Sequence, residues 1–535
     1  MKSLFNGKGN KWIVLGLVIS LSASLFSGCG SKNDTAELSP ETTAGVDFWG
    51  DVSESERDII NGYVSNTRGQ EEQQSKDGTA YNDTYFQDYG VNPFREAKEE
   101  PLSTFSLDVD TASYTIARKY INDGSLPPKD AIRVEEFINY FKRQYPAPKR
   151  DIFSIYTEMA PSAFNRGYHI LEVGLQGKEI SSSNMKNSVL TFVIDVSGSM
   201  DMDNRLKLVK KSLGILVNQM SEDDKIGIVV YGTTGRAVLD TTSANNKELI
   251  MDAINELEPE GSTNAAEGLM IGYDMAYNSY LEGGNNRVIL CTDGVANQGI
   301  TNAEDILKRV EDYKTKGITL TTLGFGMDNY NDIFLETLAD KGDGNYAYID
   351  TIEEANKVFV EQLAGTLQVI AKDAKAQIEF DTKSVESYRL IGYENRKLDA
   401  KDFKDNSVDA GEIGAGHAVT ALYEIKLKSN VGDSVGTVKI RYKNPETNKA
   451  SEISKQINSA QICNNFYDAT PRFRFMTLVA QTAEILRGST WASNTSLQNV
   501  YDLLVSDDMK DLDVNKEDSE FIDLAKKAVA LKIRE

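Results

Sequence analysis

Between residues 188 and 370 the chain alternates short apolar runs with longer stretches whose apolar residues fall three and four apart. Residues 318–325 read as a further strand, and the other runs include Thr191-Phe-Val-Ile-Asp195, Lys225-Ile-Gly-Ile-Val-Val-Tyr231 and Arg287-Val-Ile-Leu-Cys-Thr292. They are continuous, with no polar residue at every second place, so they read as strands covered on both faces. The stretches at 206–220, 246–257, 265–280, 303–316, 331–339 and 352–370 carry helical spacing, and 236–239 reads as an antiparallel edge. Strands regularly separated by helices predict an α/β unit with a mostly parallel sheet and helices on both faces.

The pattern differs on either side. Residues 152–159 and 169–175 before the unit, and 376–380, 388–392, 417–425 and 436–442 after it, read as strands of the alternating kind. Residues 105–113 are strand-like, 114–123 and 134–141 are helical in spacing, and Pro127-Pro128 separates the two. Three helices are expected near the C-terminus, at 473–486, 497–505 and 519–533. The economical topology packs the early and late strands together, making the α/β unit an insertion in a β-rich body whose ends lie close in space. The expected divisions are a leader at 1–28, a tether at 29–85, an N-terminal region at 86–187, the α/β unit at 188–370 and a C-terminal region at 371–535.

The strand ending at Asp195 is followed by Ser197 and Ser199, so a carboxylate and two hydroxyls crowd into one loop. Those are donors for a hard divalent cation. Two further groups suit the same place. Thr263 lies in the Gly261-Ser-Thr-Asn264 loop before a helix, and Asp293 with Gly294 ends another apolar strand. Asp195 and Asp293 would stand at the carboxyl ends of two strands of one sheet, where open α/β sheets bind ligands.

These residues resemble the metal-ion-dependent adhesion site (MIDAS) of von Willebrand factor type A (VWA) domains, whose pattern is Asp-x-Ser-x-Ser, a loop Thr, and an Asp before Gly. The resemblance implies a Rossmann-like VWA fold. Asp195, Ser197, Ser199, Thr263 and Asp293 would hold Mg²⁺, or another divalent cation such as Mn²⁺, and leave one position for an acidic side chain of a protein ligand. The flanks, through residues 105–113, Leu126-Pro-Pro-Lys-Asp130, Arg133-Val-Glu-Glu136, 388–395 and 409–417, resemble the regions beside VWA domains in a family of bacterial lipoproteins.

The N-terminus fits that family. Lys2, Lys8 and Lys11 precede an apolar run from Trp12 to about Phe26, then Ser27-Gly28-Cys29. This is a charged segment, a short hydrophobic segment and a small-residue cleavage site, and the run is too short for an ordinary membrane span. It resembles a lipobox, with Phe26 where the family usually has Leu, and implies lipidation of Cys29 and anchoring to the outer face of a bacterial membrane. The polar tether of roughly fifty residues, with one short helical stretch at 53–66, would reach on the order of 40 Å. The remaining cysteines, Cys291 and Cys463, give a chain this long no disulfide framework.

A formal charge of −23, which loss of the leader lysines would make more negative, argues against nucleic acid and against lying on anionic lipid. No Gly-x-x-x-x-Gly-Lys-Ser/Thr loop is present, so no nucleotide is expected. The two histidines, His169 and His417, lie in the flanks, and no catalytic Ser-His-Asp order, Cys-His pair or His-Glu-x-x-His occurs. An enzyme is not expected. One enzymatic alternative is Asp108-Val-Asp110-Thr111, which imitates the first motif of haloacid-dehalogenase-type phosphatases; the plainer reading is that these groups cap the helix beginning at Tyr114. A further alternative is a structural or assembly role in an envelope complex, with the metal incidental.

Overall fold

The computed structural model describes residues 84–534 except 109, 182–183, 295–302, 328–329 and 363–366. The leader, Cys29, the helical stretch expected at 53–66 and almost all of the tether lie outside the described residues. Among the described residues no helix is long and apolar enough to cross a membrane.

The α/β unit is built as its pattern predicts. Six strands form one sheet in the order Tyr346–Tyr348, Ile318–Gly324, Asn285–Thr292, Ser188–Asp195, Lys225–Tyr231, Gly235–Ser243. All neighbours are parallel except the last pair, which is antiparallel as expected for the edge. Ser188–Asp195 is central, and every one of its eight residues is buried. The chain moves from it to Lys225–Tyr231 on one side and later to Asn285–Thr292 on the other. The carboxyl end of Ser188–Asp195 is therefore a topological switch point, where the loops diverge and leave a crevice. Separate apolar cores cover the two faces, one around Leu269, Tyr273 and Leu335, the other around Leu206, Val209 and Leu213.

The flanks make the β-rich body. One antiparallel sheet runs Arg95–Glu96, Val385–Ile391, Ala418–Leu427, His169–Gly177, Phe153–Pro161. The other runs Lys397–Leu398, Leu102–Ser106, Val369–Phe380, Ser434–Lys443, Ala450–Asn458. Each sheet mixes strands from before and after the α/β unit. The two pack face to face through Phe105, Leu171, Tyr388, Tyr423 and Val438. Helices Ala112–Asn122, Val134–Tyr140, Pro471–Leu486, Leu497–Leu504 and Lys516–Lys532 share a second core that covers the first sheet's outer face through Ala160, Ile170, Ile391 and Leu422. The inserted unit's ends meet: Lys186 N–H donates to Gln368 Oε1 at 3.0 Å, and Gln368 Nε2 donates to the Lys186 carbonyl at 3.1 Å.

Some elements differ from expectation. The strand read at 105–113 is Leu102–Ser106, and the helix after it begins at Ala112. The helix read at 352–370 is Ile352–Asn356 passing into π-helical Lys357–Gln362, and Val369 already belongs to a body strand. Ala450–Asn458 was not anticipated. It is an edge strand whose residues, Ile457 apart, are exposed or half-buried, so burial leaves no alternation to read. Tyr85, at the far end of the expected tether, is already held on the α/β unit by its N–H to the Tyr330 carbonyl at 2.9 Å.

Candidate metal centre

Asp195 is the last residue of the central strand and is fully buried. Its two oxygens are both engaged: the Ser197 N–H donates to Oδ1 at 2.8 Å and the Thr292 hydroxyl donates to Oδ2 at 2.8 Å. Thr292 ends the neighbouring parallel strand, so this bond ties the two strand ends together and brings Asp293 to the same crevice. Asp293 is 4% exposed. The turn behind it needs glycine. Gly294 has φ +121, and a Cβ there would press on the backbone of Tyr330 and Asn331.

After Asp195 the chain enters a short 3₁₀ turn, Gly198–Asn204. The Ser197 and Ser199 hydroxyls are hydrogen-bonded to each other, 3.0 Å apart. Neighbouring corners of an octahedron with ~2.1 Å metal–oxygen bonds are about 3.0 Å apart, so this spacing suits two adjacent ligands of one small cation. The third loop is clasped to the first: Gly198 N–H donates to the Gly261 carbonyl at 3.1 Å, and Glu260 N–H donates to the Val196 carbonyl. Thr263, two residues on and 3% exposed, immediately precedes Asn264, which caps Ala265–Asn278 by accepting from the Glu267 N–H. Hydrogen bonds thus join the loops carrying Asp195, Ser197, Ser199 and Thr263, and Thr292 ties in the strand end bearing Asp293. Ser197 and Thr263 are buried, while among the described residues Gly198 and Gly261 are exposed and Ser199 is half-buried, so the site reaches solvent past these three.

Charge is out of balance there. Burial, then the charge of Asp293, pushes the Asp195 carboxyl up to about 7, against the pull of its hydrogen bonds. Two crowded buried carboxylates with neutral hydroxyls beside them lack positive charge, which a divalent cation would supply. Arg205 partly answers this, its Nη1 donating to Asp293 Oδ2 at 2.8 Å. The sequence reading missed Arg205 and Thr292. Thr292 adjoins a ligand candidate and was within reach; Arg205 acts through a loop whose path the pattern does not reveal.

Asp108 and Asp110 take part in something else. With Asp340 they are, among the described residues, a group of three carboxylates within 4.8 Å of one another. The Arg396 guanidinium fills that space, pairing with Asp108 at 2.8 Å, Asp110 at 3.0 Å and Asp340 at 2.7 Å. The preceding strand lies in an antiparallel sheet, unlike the parallel nucleophile strand of the phosphatase reading. The capping reading fails too: Thr111 makes no side-chain cap, and Asp110 Oδ1 accepts from Tyr346 N–H at 2.9 Å, across the seam with the α/β unit. Two more buried arginines work along that seam. Arg118 binds Asp350 and Glu354, and Arg133 binds Asp332.

Three family models match the chain: von Willebrand factor over residues 80–172, von Willebrand factor type A domain over 190–362, and Uncharacterized protein YfbK, C-terminal, over 365–531. The chain is 39% identical to Uncharacterized protein YfbK of Escherichia coli (strain K12) over 442 residues, 78% of this chain and 76% of that protein. It is 28% identical over 224 residues to inter-alpha-trypsin inhibitor heavy chain H3 of Mus musculus, covering 40% of this chain and 24% of that one. A solved von Willebrand factor type A protein from Catenulispora acidiphila is 17% identical at TM-score 0.38, covering 64% of this chain and 81% of that one. None of these relatives bears an enzyme's name. The VWA domain gives the chain a role of the protein-interaction or adhesion type. With its matching domain and flanks, this chain belongs to the bacterial von Willebrand factor type A proteins that carry a YfbK-type C-terminal region.

Proposed function

We propose that the chain is a cell-envelope lipoprotein that grips a protein partner through a divalent cation held by Asp195, Ser197, Ser199, Thr263 and Asp293. The observation that carries the reading is the convergence of the three loops: the buried Asp195 bonded to Ser197 and Thr292, the Ser197 and Ser199 hydroxyls bonded to each other, and Gly198 clasped to Gly261 beside Thr263. Asp195 and Asp293 supply charge, and the three hydroxyls act as neutral donors. A bound Mg²⁺ or Mn²⁺ would offer an open coordination position to a carboxylate. Hydroxyl ligands leave the ion's charge undercompensated, which favours an anionic partner group over water.

The rim narrows the partner further. Asp201, Asp203, Glu258 and Glu260, on the loops around the opening, are exposed, and Arg236 pairs with Glu260. An acidic rim repels an acidic surface, so the partner's carboxylate is one set among basic residues. The leader pattern ending at Cys29 supports export and lipid anchoring to the outer face of a bacterial membrane, with the polar segment after it as a tether.

The test is capture of partners from an envelope extract by the purified chain, in Mg²⁺ and in chelator, with Asp195→Ala and Asp293→Ala alongside. Capture that needs Mg²⁺ and is lost in both variants is expected. Equal capture in chelator rejects the mechanism.

A further inference from the structure

Arg205 opens the helix Arg205–Gln219 and is 3% exposed. Three features of its setting point to work for the guanidinium at the crevice. A cation at the first position of a helix faces the positive end of the helix dipole. The two residues before it, Asp203 and Asn204, are both left-handed, at φ +49 and +59, a conformation Asp and Asn adopt readily but as single residues rather than in pairs. Across from it, Gly326 at φ +87 is the residue whose Cβ would overlap the guanidinium. What the arrangement achieves is contact with the crevice: Nη1 stands 2.8 Å from Asp293 Oδ2 and 3.4 Å from the Ser199 carbonyl oxygen.

From this we infer that Arg205 is a positioning residue that holds Asp293 and sets the metal affinity of the centre, competing with the divalent cation for that carboxylate. The inference rests on the metal reading above. Without metal, Arg205 neutralises one of two crowded carboxylates and keeps the site folded. With metal, the charges of Asp195 and Asp293 offset the ion's, and Arg205 adds one positive charge beside it. The loaded site is thereby biased toward an anionic partner group, at the expense of metal affinity.

The probe is Mn²⁺ alone, titrated calorimetrically into the folded mature chain and into Arg205→Met, Arg205→Lys and Asp195→Ala, with melting followed in parallel. Arg205→Met is expected to melt lower without metal and to bind Mn²⁺ roughly fivefold or more tighter, since the competing charge is gone. Arg205→Lys should stay near the parent chain. Mere structural damage does not tighten metal binding, so the direction separates the two roles. Binding by Arg205→Met equal to or weaker than the parent's, while Asp195→Ala has lost it, overturns the inference and leaves the metal reading standing. Absence of binding to parent and Arg205→Met alike overturns both.

Discussion

Replacing Arg396 with Met should loosen the grip of the body on the VWA domain, by an amount the geometry sets. Arg396 comes from the body and is 9% exposed in its side chain. It contacts Asp108 and Asp110 of the body at 2.8 and 3.0 Å, and Asp340 and Glu336 of the inserted domain at 2.7 and 3.2 Å. Methionine fills much the same space without charge, leaving four carboxylates around an apolar side chain. Removing one partner of a buried ion pair costs roughly 3–5 kcal/mol. With about 2 cal/mol/K of unfolding entropy per residue, the roughly 450 described residues of body and insertion together have near 1 kcal/mol/K, so the melting temperature should fall by about 3–5 °C.

The loss should also depend on pH. Burial pushes the Glu336 carboxyl up to about 7 and that of Asp340 up to about 6, with Arg396 opposing both shifts. Folded values above unfolded ones mean that the folded chain holds more protons between about pH 4 and 7. The stability linked to these groups is therefore present at acid pH and lost as pH rises through 6 and 7. Without Arg396 both carboxyls titrate higher still, so Arg396→Met should lose most at pH 7.5 and recover part of the difference at pH 5. Calorimetric melting of parent and variant at both values reads this directly. A drop under about 1 °C at pH 7.5, or one equally large at pH 5, would refute the claim that Arg396 clamps the seam by charge.

Two smaller tests address the rest of the chain. Gly326→Ala should lower the melting temperature by roughly 2 °C, since alanine at φ +87 is strained and its methyl displaces Arg205; an unchanged melt contradicts that packing. Cys29→Ser should shift the chain from the membrane to the soluble fraction of a bacterial host and abolish labelling by a fatty-acid probe; membrane retention with the label intact rejects lipidation at Cys29.

The VWA domain could be read because its three inner strands, Ser188–Asp195, Lys225–Tyr231 and Asn285–Thr292, are buried on both faces, so each appears as a mostly apolar run with Asp or Gly at or just after its end. The insertion was legible for a related reason: period-two strands stand on both sides of a helix–strand alternation, and no strand of that kind is stable unpaired. The arginines of the seam were opaque. Arg118 meets Glu354, Arg133 meets Asp332, and Arg396 meets Asp108, pairs separated by roughly two to three hundred positions, and nothing local in a charged residue names its partner. Asp108 and Asp110 were misread for the same cause, a local spacing whose meaning lay in what faced it.

The way the insertion is fastened bears on adhesion. The three arginines hold the flank of the sheet at Tyr346–Tyr348, with helices Asp332–Lys341 and Ile352–Asn356, leaving the loops after Ser188–Asp195 exposed. The central strand begins two residues after Lys186, whose backbone is bonded to Gln368 at the junction with the body, and it ends on Asp195. Eight residues at ~3.3 Å span about 26 Å, so under the proposed binding at Asp195 a load would run down one strand to the paired junction. That strand is hydrogen-bonded along its length to a parallel neighbour on each side. To draw it out, a pull must shear both ladders together, which opposes extraction more strongly than peeling an edge strand bond by bond. In the proposed reading, placing Asp195 on the central strand would serve two ends: the divergence of loops that makes a crevice, and an anchorage for a partner bound there.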